Sequence, residues 1–448
     1  MSGSGPGNGR GTAPSGSGRT SVVMFVRNDC TNDTRVLREA ATLTAAGYAV
    51  TVMATTRPGA PSAVEQVERD GFTIIRVPVP MGWRPAWRRF RSPWRAWRAL
   101  RRGGETTTRT GQGDVFDWLA AWHFATVGWA RQAAAAAPAA RIHHGHDLTG
   151  LPAALASSSR HGGLIVYDSH ELFLESGSNA RRPRWARRLM GRIERRWATR
   201  AAALITVNAT LDAELGRRLG IPRRVVVHNC PPRWTPPDPQ PDHLRHAVGL
   251  PAGTPLLLYH GGFAPDRGLI QLADAMLEPG LEDAHLVLLG FGAMEGELRA
   301  LASEPRRGGR VHIVPGVPPE DLAEWVASAD VGVMPNQPAT ANERLSTPNK
   351  LFESLAAGLP VVTSDFRERH RIILDDPLGP LGAVCDPTQP AAIARAIRSI
   401  LDLPDVELRL LRARCLRAAH ERWNWETESA RLVTLYSELE PPAGARLE

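Results

Sequence analysis

The sequence predicts an α/β protein built from two parallel-sheet domains that face one another across a cleft. Three observations lead there. The chain has 448 residues, of which 43% are hydrophobic and 22% charged, enough for two or three globular domains at roughly 150 residues each. Short apolar runs alternate with amphipathic stretches, the pattern of strands covered by helices. The alternation is interrupted by the proline-rich run CPPRWTPPDPQPDH (230–243) and then begins again, as expected of a linker between two similar units.

Each element has a local reason. Residues 1–20, MSGSGPGNGRGTAPSGSGRT, are rich in Gly and Ser and lack an apolar core, so they read as a flexible tail and not a signal peptide. The first domain, 21–229, opens with the strand SVVMFVR (21–27). An amphipathic helix from Asp33 to Ala46 follows, stopped by Gly47, and the strand YAVTVMA comes next. Further strands are expected at 72–79, 141–144, 164–168, 203–207 and 224–228, with helices at 115–137 and 149–160. After a linker (230–250), the second domain (251–422) offers strands PLLLYH (255–260), HLVLLG (285–290), RVHIVPG (310–316), DVGVMP (330–335) and PVVTS (360–364). Residues 404–438 read as helical. In open α/β sheets ligands sit beyond the carboxyl ends of the strands, so the cleft between the domains is the expected site.

Charge and cysteine usage narrow the class. Cys30, Cys230, Cys385 and Cys415 form no C-x-x-C pair, which argues against a disulfide framework or a cysteine zinc site. No run of about 18 apolar residues is present, and the expected address is cytoplasmic. The net charge is +8, but residues 84–102 hold eight arginines and no acid, and residues 181–200 hold nine arginines and only Glu194. The basic character is therefore local. In the second patch Trp185, Leu189, Ile193 and Trp197 fall at i+4 steps, one face of a helix. Such a face suits either an anionic bilayer, with tryptophans at headgroup level, or a core-facing stripe beneath a solvated basic face. Nucleic-acid binding through the arginines is a third reading, without a recognisable module.

The absent motifs exclude several chemistries. There is no phosphate-binding G-x-x-x-x-G-K-[ST] loop, no H-E-x-x-H, no D-x-D and no G-x-S-x-G. Gly290-Phe-Gly292 follows a strand and opens a helix, which lets backbone approach a ligand. The most informative run is STPNKLFESLAAGLPVV (346–362). Pro348 suits a helix N1 position, and the amides that follow form an anion site. Asn349 and Lys350 stand in the first turn. Glu353 lies three residues beyond Lys350 on the same face, either as a ribose ligand or as half of a surface ion pair.

These segments resemble family 4 glycosyltransferases, which have the GT-B fold of two Rossmann-like domains. YHGGFAPDRGLIQLADAM (259–276), LVLLGFGAMEGEL, ADVGVMP and PNKLFESLAAGLPVVTSD resemble the donor-binding half in order. NDTRVLREAATLTAAGYAVTV (32–52), HHGHD (143–147) and VYDSHELF (166–173) resemble a branch of the same family, and the resemblance runs over roughly 21–439. It implies that the tail, 423–440, packs back on the first domain. It further implies a donor site at Gly261, Gly262, Arg267, Gly290, Gly292, Asn349, Lys350, Leu351 and Glu353, with Glu353 on the ribose and Arg267 and Lys350 on the diphosphate. Arg267 stands where the family usually has lysine, and a guanidinium can replace it. Gly262 replaces a common arginine. Leu345 replaces the first glutamate of the E-x7-E motif, and Glu343 is the nearby carboxylate. His170 matches the histidine that faces the reacting sugar, so His170, Arg267 and Lys350 form the expected catalytic set. The acceptor side is expected at Asp33, Arg35, His146, Asp147 and Glu171, with Asp33 alternatively the N-cap of the first helix.

The activity implied is transfer of a sugar from a nucleotide-sugar to an acceptor hydroxyl with retained configuration, through a front-face reaction and without a metal or other cofactor. The partners implied are that donor and a glycan or lipid-linked acceptor, with an anionic membrane surface through 83–102 and 181–200. A sugar-nucleotide epimerase of the same fold is the alternative, and a non-enzymatic nucleic-acid-binding protein a second.

Overall fold

A computed structural model describes residues 19–57, 64–82, 84 and 115–440. Almost all of the Gly/Ser tail and of the first basic patch lies outside the described residues. Eight strands form the first sheet: β1 Ser21–Phe25, β2 Ala49–Thr55, β3 Glu65–Arg69, β4 Phe72–Val77, β5 Ile142–His146, β6 Leu164–Ser169, β7 Ala203–Thr206 and β8 Arg224–Val226. Their order is β3-β4-β2-β1-β5-β6-β7-β8, all parallel except β3 on β4. The second sheet contains β9 Leu256–Gly262, β10 His285–Phe291, β11 Val311–Pro315, β12 Val331–Met334, β13 Val361–Ser364 and β14 Gly382–Cys385 in the parallel order β11-β10-β9-β12-β13-β14.

Each sheet is buried on both faces, which explains the near-continuous apolar strands. Val22 and Met24 of β1 enter one core, while Val23 and Phe25 enter the core on the opposite face. Each sheet also reverses its strand order once. The first does so at β1, flanked by β2 and β5, and the second at β9, flanked by β10 and β12. The carboxyl ends of strands at such reversals open a crevice, and the two reversals face the same interdomain cleft.

Two strands escape the sequence reading, and both are edges. Glu65–Arg69 is polar and pairs with β4 on one side only, as edge strands often do. Gly382–Cys385 is four residues long. Its glycine is required, because a Cβ there would lie 2.0 Å from the Val361 carbonyl oxygen. The expected linker is only half extended: helix His243–Val248 buries Leu244 in the second domain, and Arg245 there bonds to Ser328 and ion-pairs with Asp330.

The chain crosses back at its end. Cys415, Ala418 and Trp423 pack in the second-domain core. Asn424 then caps helix Trp425–Leu439 by accepting from the Thr427 amide at 2.9 Å, and Trp425, Leu432, Leu435 and Tyr436 complete a core of the first domain. Direct bonds also join the lobes beside the cleft: Asn208 donates to the Leu345 carbonyl at 2.9 Å, and the Leu172 amide donates to Asn342 Oδ1 at 2.9 Å.

The basic helix spans Arg184–Ala198. Its expected apolar stripe divides. Trp197 and Ile193 pack inward with buried Met190, whereas Trp185 and Leu189 are 50% and 41% exposed. Among the described residues no helix is long and apolar enough to cross a membrane.

Candidate active site

The first-domain side of the cleft is organised by Asp168, which is buried near the end of β6. Its carboxylate accepts both Nε (3.1 Å) and Nη2 (3.0 Å) of Arg35, a bidentate pair. His170 Nε2 approaches it at 2.8 Å and His146 Nδ1 at 3.1 Å. Burial opposes the charge on Asp168, but Arg35 and His170 outweigh it and hold the carboxyl well below its ordinary range. His170 faces a second carboxylate as well, with Nδ1 at 3.3 Å from Asp147. Burial opposes its protonation, yet Asp147 and Asp168 raise it well above its ordinary value. With a carboxylate at each ring nitrogen, His170 is an imidazolium. These two carboxylates favour a positive charge at the mouth of the cleft.

Beneath lies a buried group of Glu39, His144, His146 and Asp168 whose candidate ligand atoms lie within 4.8 Å of one another. Such a set invites a metal ion, but the Arg35 guanidinium already ion-pairs with both carboxylates, at 3.0 Å each. Burial and then Asp168 push Glu39 up to about 8, and burial and then His146 push His144 down to about 3. The group is therefore arranged around an arginine. Tyr436 of the final helix reaches it, with its hydroxyl 2.6 Å from His144 Nδ1.

The second-domain side is built on helix Asn349–Ala356. Pro348 is its N-cap, one position earlier than its sequence suggests, and no side chain caps the helix amides. Glu353 Oε2 lies 3.0 Å from His260 Nε2. Burial is the largest single influence and raises the Glu353 carboxyl, but the His260 bond and charge, with Lys350 and Arg38, together outweigh it and lower it below its ordinary value. Lys350 does not pair with Glu353; its Nζ sits 3.5 Å from the centre of the Tyr259 ring. Burial, and then the Arg267 guanidinium, press the Lys350 ammonium well below its ordinary value, and an arriving dianion would favour its charged form. Arg267 Nη1 is held by Glu343 at 3.0 Å, and Asn336 donates to the same carboxylate at 3.0 Å. Gly261 has φ 107°, and a Cβ on Gly290 would lie 2.0 Å from the Gly261 carbonyl oxygen. Two glycines thus let the β9 and β10 ends close up beneath the cleft.

The structure brings His170, Glu171, Gly261, Gly262, Arg267, Gly290, Glu343, Asn349, Lys350 and Glu353 around one cavity of about 630 Å³. Other expected site residues do not line that cavity, although Asp33 and Arg35 line an adjoining one on the first-domain side. Leu351 is buried in the second-domain core, because it lies on the inward face of its helix. Gly292 packs on the Phe263 backbone, where a Cβ would lie 2.3 Å from its carbonyl oxygen. Arg35 and His146, expected on the acceptor side, are 3% and 1% exposed and serve Asp168. Asp147 bonds to His170. Asp33 is the N-cap of helix Thr34–Ala45, accepting from the Val36 amide at 3.2 Å. Leu345 packs against the first-domain core. The sequence reading missed His260, Glu39, His144 and Tyr436. The signal for His260 was a polar residue closing an apolar strand.

Two parallel sheets facing a cleft, with a carboxylate-bearing helix N-terminus opposite His170, define a GT-B architecture. Two family models match in succession, "Glycosyltransferase Family 4" over residues 33–231 and "Glycosyl transferases group 1" over residues 254–403. The chain belongs to family 4 of the glycosyltransferases. It is 31% identical over 225 residues to the D-inositol 3-phosphate glycosyltransferase of Xylanimonas cellulosilytica, covering 47% of this chain and 51% of that protein. A GDP-mannose-dependent alpha-(1-6)-phosphatidylinositol monomannoside mannosyltransferase of Mycolicibacterium smegmatis is 29% identical over 208 residues, covering 44% of this chain and 52% of that one. The chain thus spans about half the length of the curated relatives it matches. Sucrose-phosphate synthase from Thermosynechococcus elongatus shares the fold, with a TM-score of 0.70, 20% identity, and coverage of 94% of this chain and 99% of that one.

The ion-pair geometry makes two linked predictions. Asp168→Asn strands a buried arginine and is expected to lower unfolding free energy by about 3–5 kcal/mol, read by denaturant unfolding. Asp147→Asn, at the more exposed partner, should leave the fold intact and lower the His170 pKa. The charge on His170 is present below that value and lost as pH rises through it. Ring-resonance NMR titration should therefore show deprotonation at lower pH in the variant, and an unchanged midpoint would contradict the assignment.

Proposed function

We propose that the protein is a retaining glycosyltransferase that moves a sugar from a nucleoside-diphosphate sugar to a hydroxyl of a glycan or lipid-linked acceptor. The observation that carries this reading is the helix opening at Asn349, with amides uncapped by any side chain, Lys350 in its first turn and Glu353 held ionised by His260. An ionised carboxylate accepts the two hydroxyls of a ribose, and the helix amides with Lys350 and Arg267 meet the diphosphate. As the anomeric C–O bond to phosphate breaks, negative charge grows on the leaving diphosphate, and groups already oriented toward it lower the barrier. The new C–O bond to the acceptor forms on the same face, and the acceptor proton passes to a phosphate oxygen. His170 stands across the cleft with its ring nitrogens held by Asp147 and Asp168, and it faces the reacting sugar. These protein cations supply what a divalent ion would otherwise bring, so the reaction is proposed to proceed without metal.

The acceptor is proposed to be met at the inner face of an anionic membrane. Arg184, Arg187, Arg188, Arg192 and Arg195 line a groove of about 580 Å³ beside the basic helix, and Trp185 and Leu189 are exposed on that helix. Arginines with nearby exposed apolar residues suit anionic headgroups. The name of the Mycolicibacterium relative points to a lipid acceptor of that kind.

Binding of a panel of nucleotide-sugars should raise thermal stability for at least one donor. Glu353→Ala should weaken that donor by about tenfold or more, the worth of a charge-assisted hydrogen bond, while Arg267→Ala should lower turnover by about a hundredfold. A donor response indifferent to both substitutions would refute the site. Flotation with anionic vesicles at low salt should carry the protein upward, and exchange of Arg188 and Arg192 for Glu should abolish it. Equal recovery with neutral vesicles would refute the membrane reading.

A further inference from the structure

A second cavity, of about 520 Å³, opens on the first-domain side of the donor cleft and shares His170, Thr347 and Asn349 with it. This volume falls within the range of small-molecule sites, roughly 300–1,000 Å³. An acceptor hydroxyl must lie beside the donor sugar, so this cavity is where the acceptor ring enters. That placement rests on the transferase reading above.

Half of the residues lining this cavity carry an amide or a carboxylate: Asn28, Asp29, Asn32, Asp33, Asn229 and Asn349. Helix Thr34–Ala45 points its N-terminus at it, which would ordinarily attract phosphate. Here the chain's own carboxylate occupies that place. Asp33 Oδ1 accepts from the Val36 amide at 3.2 Å, while Oδ2 accepts from Asn28 Nδ2 at 2.7 Å. The two cations at the cavity's edge among the described residues are already satisfied. Arg35 is shared by Asp168 and Glu39, and His170 by Asp147 and Asp168. A phosphate monoester has only acceptor oxygens and two negative charges, so beside Asp29 and Asp33 it would meet amide donors but no unpaired cation to offset the repulsion. A polyol has hydroxyls that donate to carboxylates and accept from amides.

We propose that this cavity takes an uncharged polyhydroxylated ring, a glycosyl residue or polyol without phosphate, and rejects phosphorylated acceptors. The acceptor would then differ in charge from the one for which the Xylanimonas relative is named.

The test uses the intact protein with the donor found by thermal shift and matched acceptors: myo-inositol and an alkyl glycoside against inositol 3-phosphate and the corresponding sugar phosphate. Products are followed by mass spectrometry alongside donor consumption. The expected result is transfer to the neutral member of each pair with kcat/KM at least tenfold above that of its phosphorylated counterpart. Asp33→Asn keeps a good helix cap and removes the charge, so it should narrow that ratio severalfold, as should Asp29→Asn. Equal or better use of the phosphorylated acceptors overturns the inference alone. Ratios unmoved by both substitutions show that the acceptor sits elsewhere and also overturn it. Absence of donor consumption with any acceptor overturns the transferase reading and this inference with it.

Discussion

The bidentate pair between Arg35 and Asp168 is the contact on which the first half of the molecule turns. It joins the first helix to the end of β6, and Arg35 also donates to the Val227 carbonyl at 2.8 Å, where the first domain ends. A buried charge pair gains little over apolar packing, but its loss strands a charge in a low-dielectric interior. Its value here is positional. Asp168 has two oxygens, and after the arginine is seated they still accept the ring of His170. The same carboxylate thus holds the lobe together and keeps a cation at the mouth of the cleft.

The second lobe solves the complementary problem. Positive charge must await a diphosphate without being neutralised by the protein itself. Lys350 meets an aromatic face in place of a carboxylate, and the helix amides lack a side-chain cap. Arg267 alone is paired, with Glu343, and it remains 37% exposed. The contrast with Asp33, which plugs the N-terminus of the first helix, gives the two helix ends opposite characters. One is open to an anion and the other is closed to it. Both lie at a reversal of strand order, so topology brings them to the same cleft.

Much of this was legible in the sequence. The two runs of strand–helix alternation, the proline-rich break and the helix opening at Pro348 all follow from local chemistry and period. Two of the edge strands, β3 and β14, were not legible, because a strand paired on one side tolerates polar residues such as Glu65 and Glu68, or needs only four residues, as at Gly382. Among site residues, those on the donor helix were legible because they are close in sequence. Glu39, His144 and Tyr436 were not, since they meet only through packing of the first and last helices on β5. Arg35 and His146 were noticed, but their burial against Asp168 was not, because Asp168 lies far from both in sequence. A motif shows that a residue matters before it shows which way the side chain points.

The most direct measurement is a crystal structure with a nucleoside diphosphate and an intact or fluorinated sugar donor. The account predicts the ribose hydroxyls within hydrogen-bond distance of Glu353, the diphosphate against the Asn349 and Lys350 amides with Arg267 beside it, and the sugar turned toward His170. A nucleotide seated outside the cavity between the two lobes, or a diphosphate contacting neither the Asn349 helix nor Arg267, would contradict it.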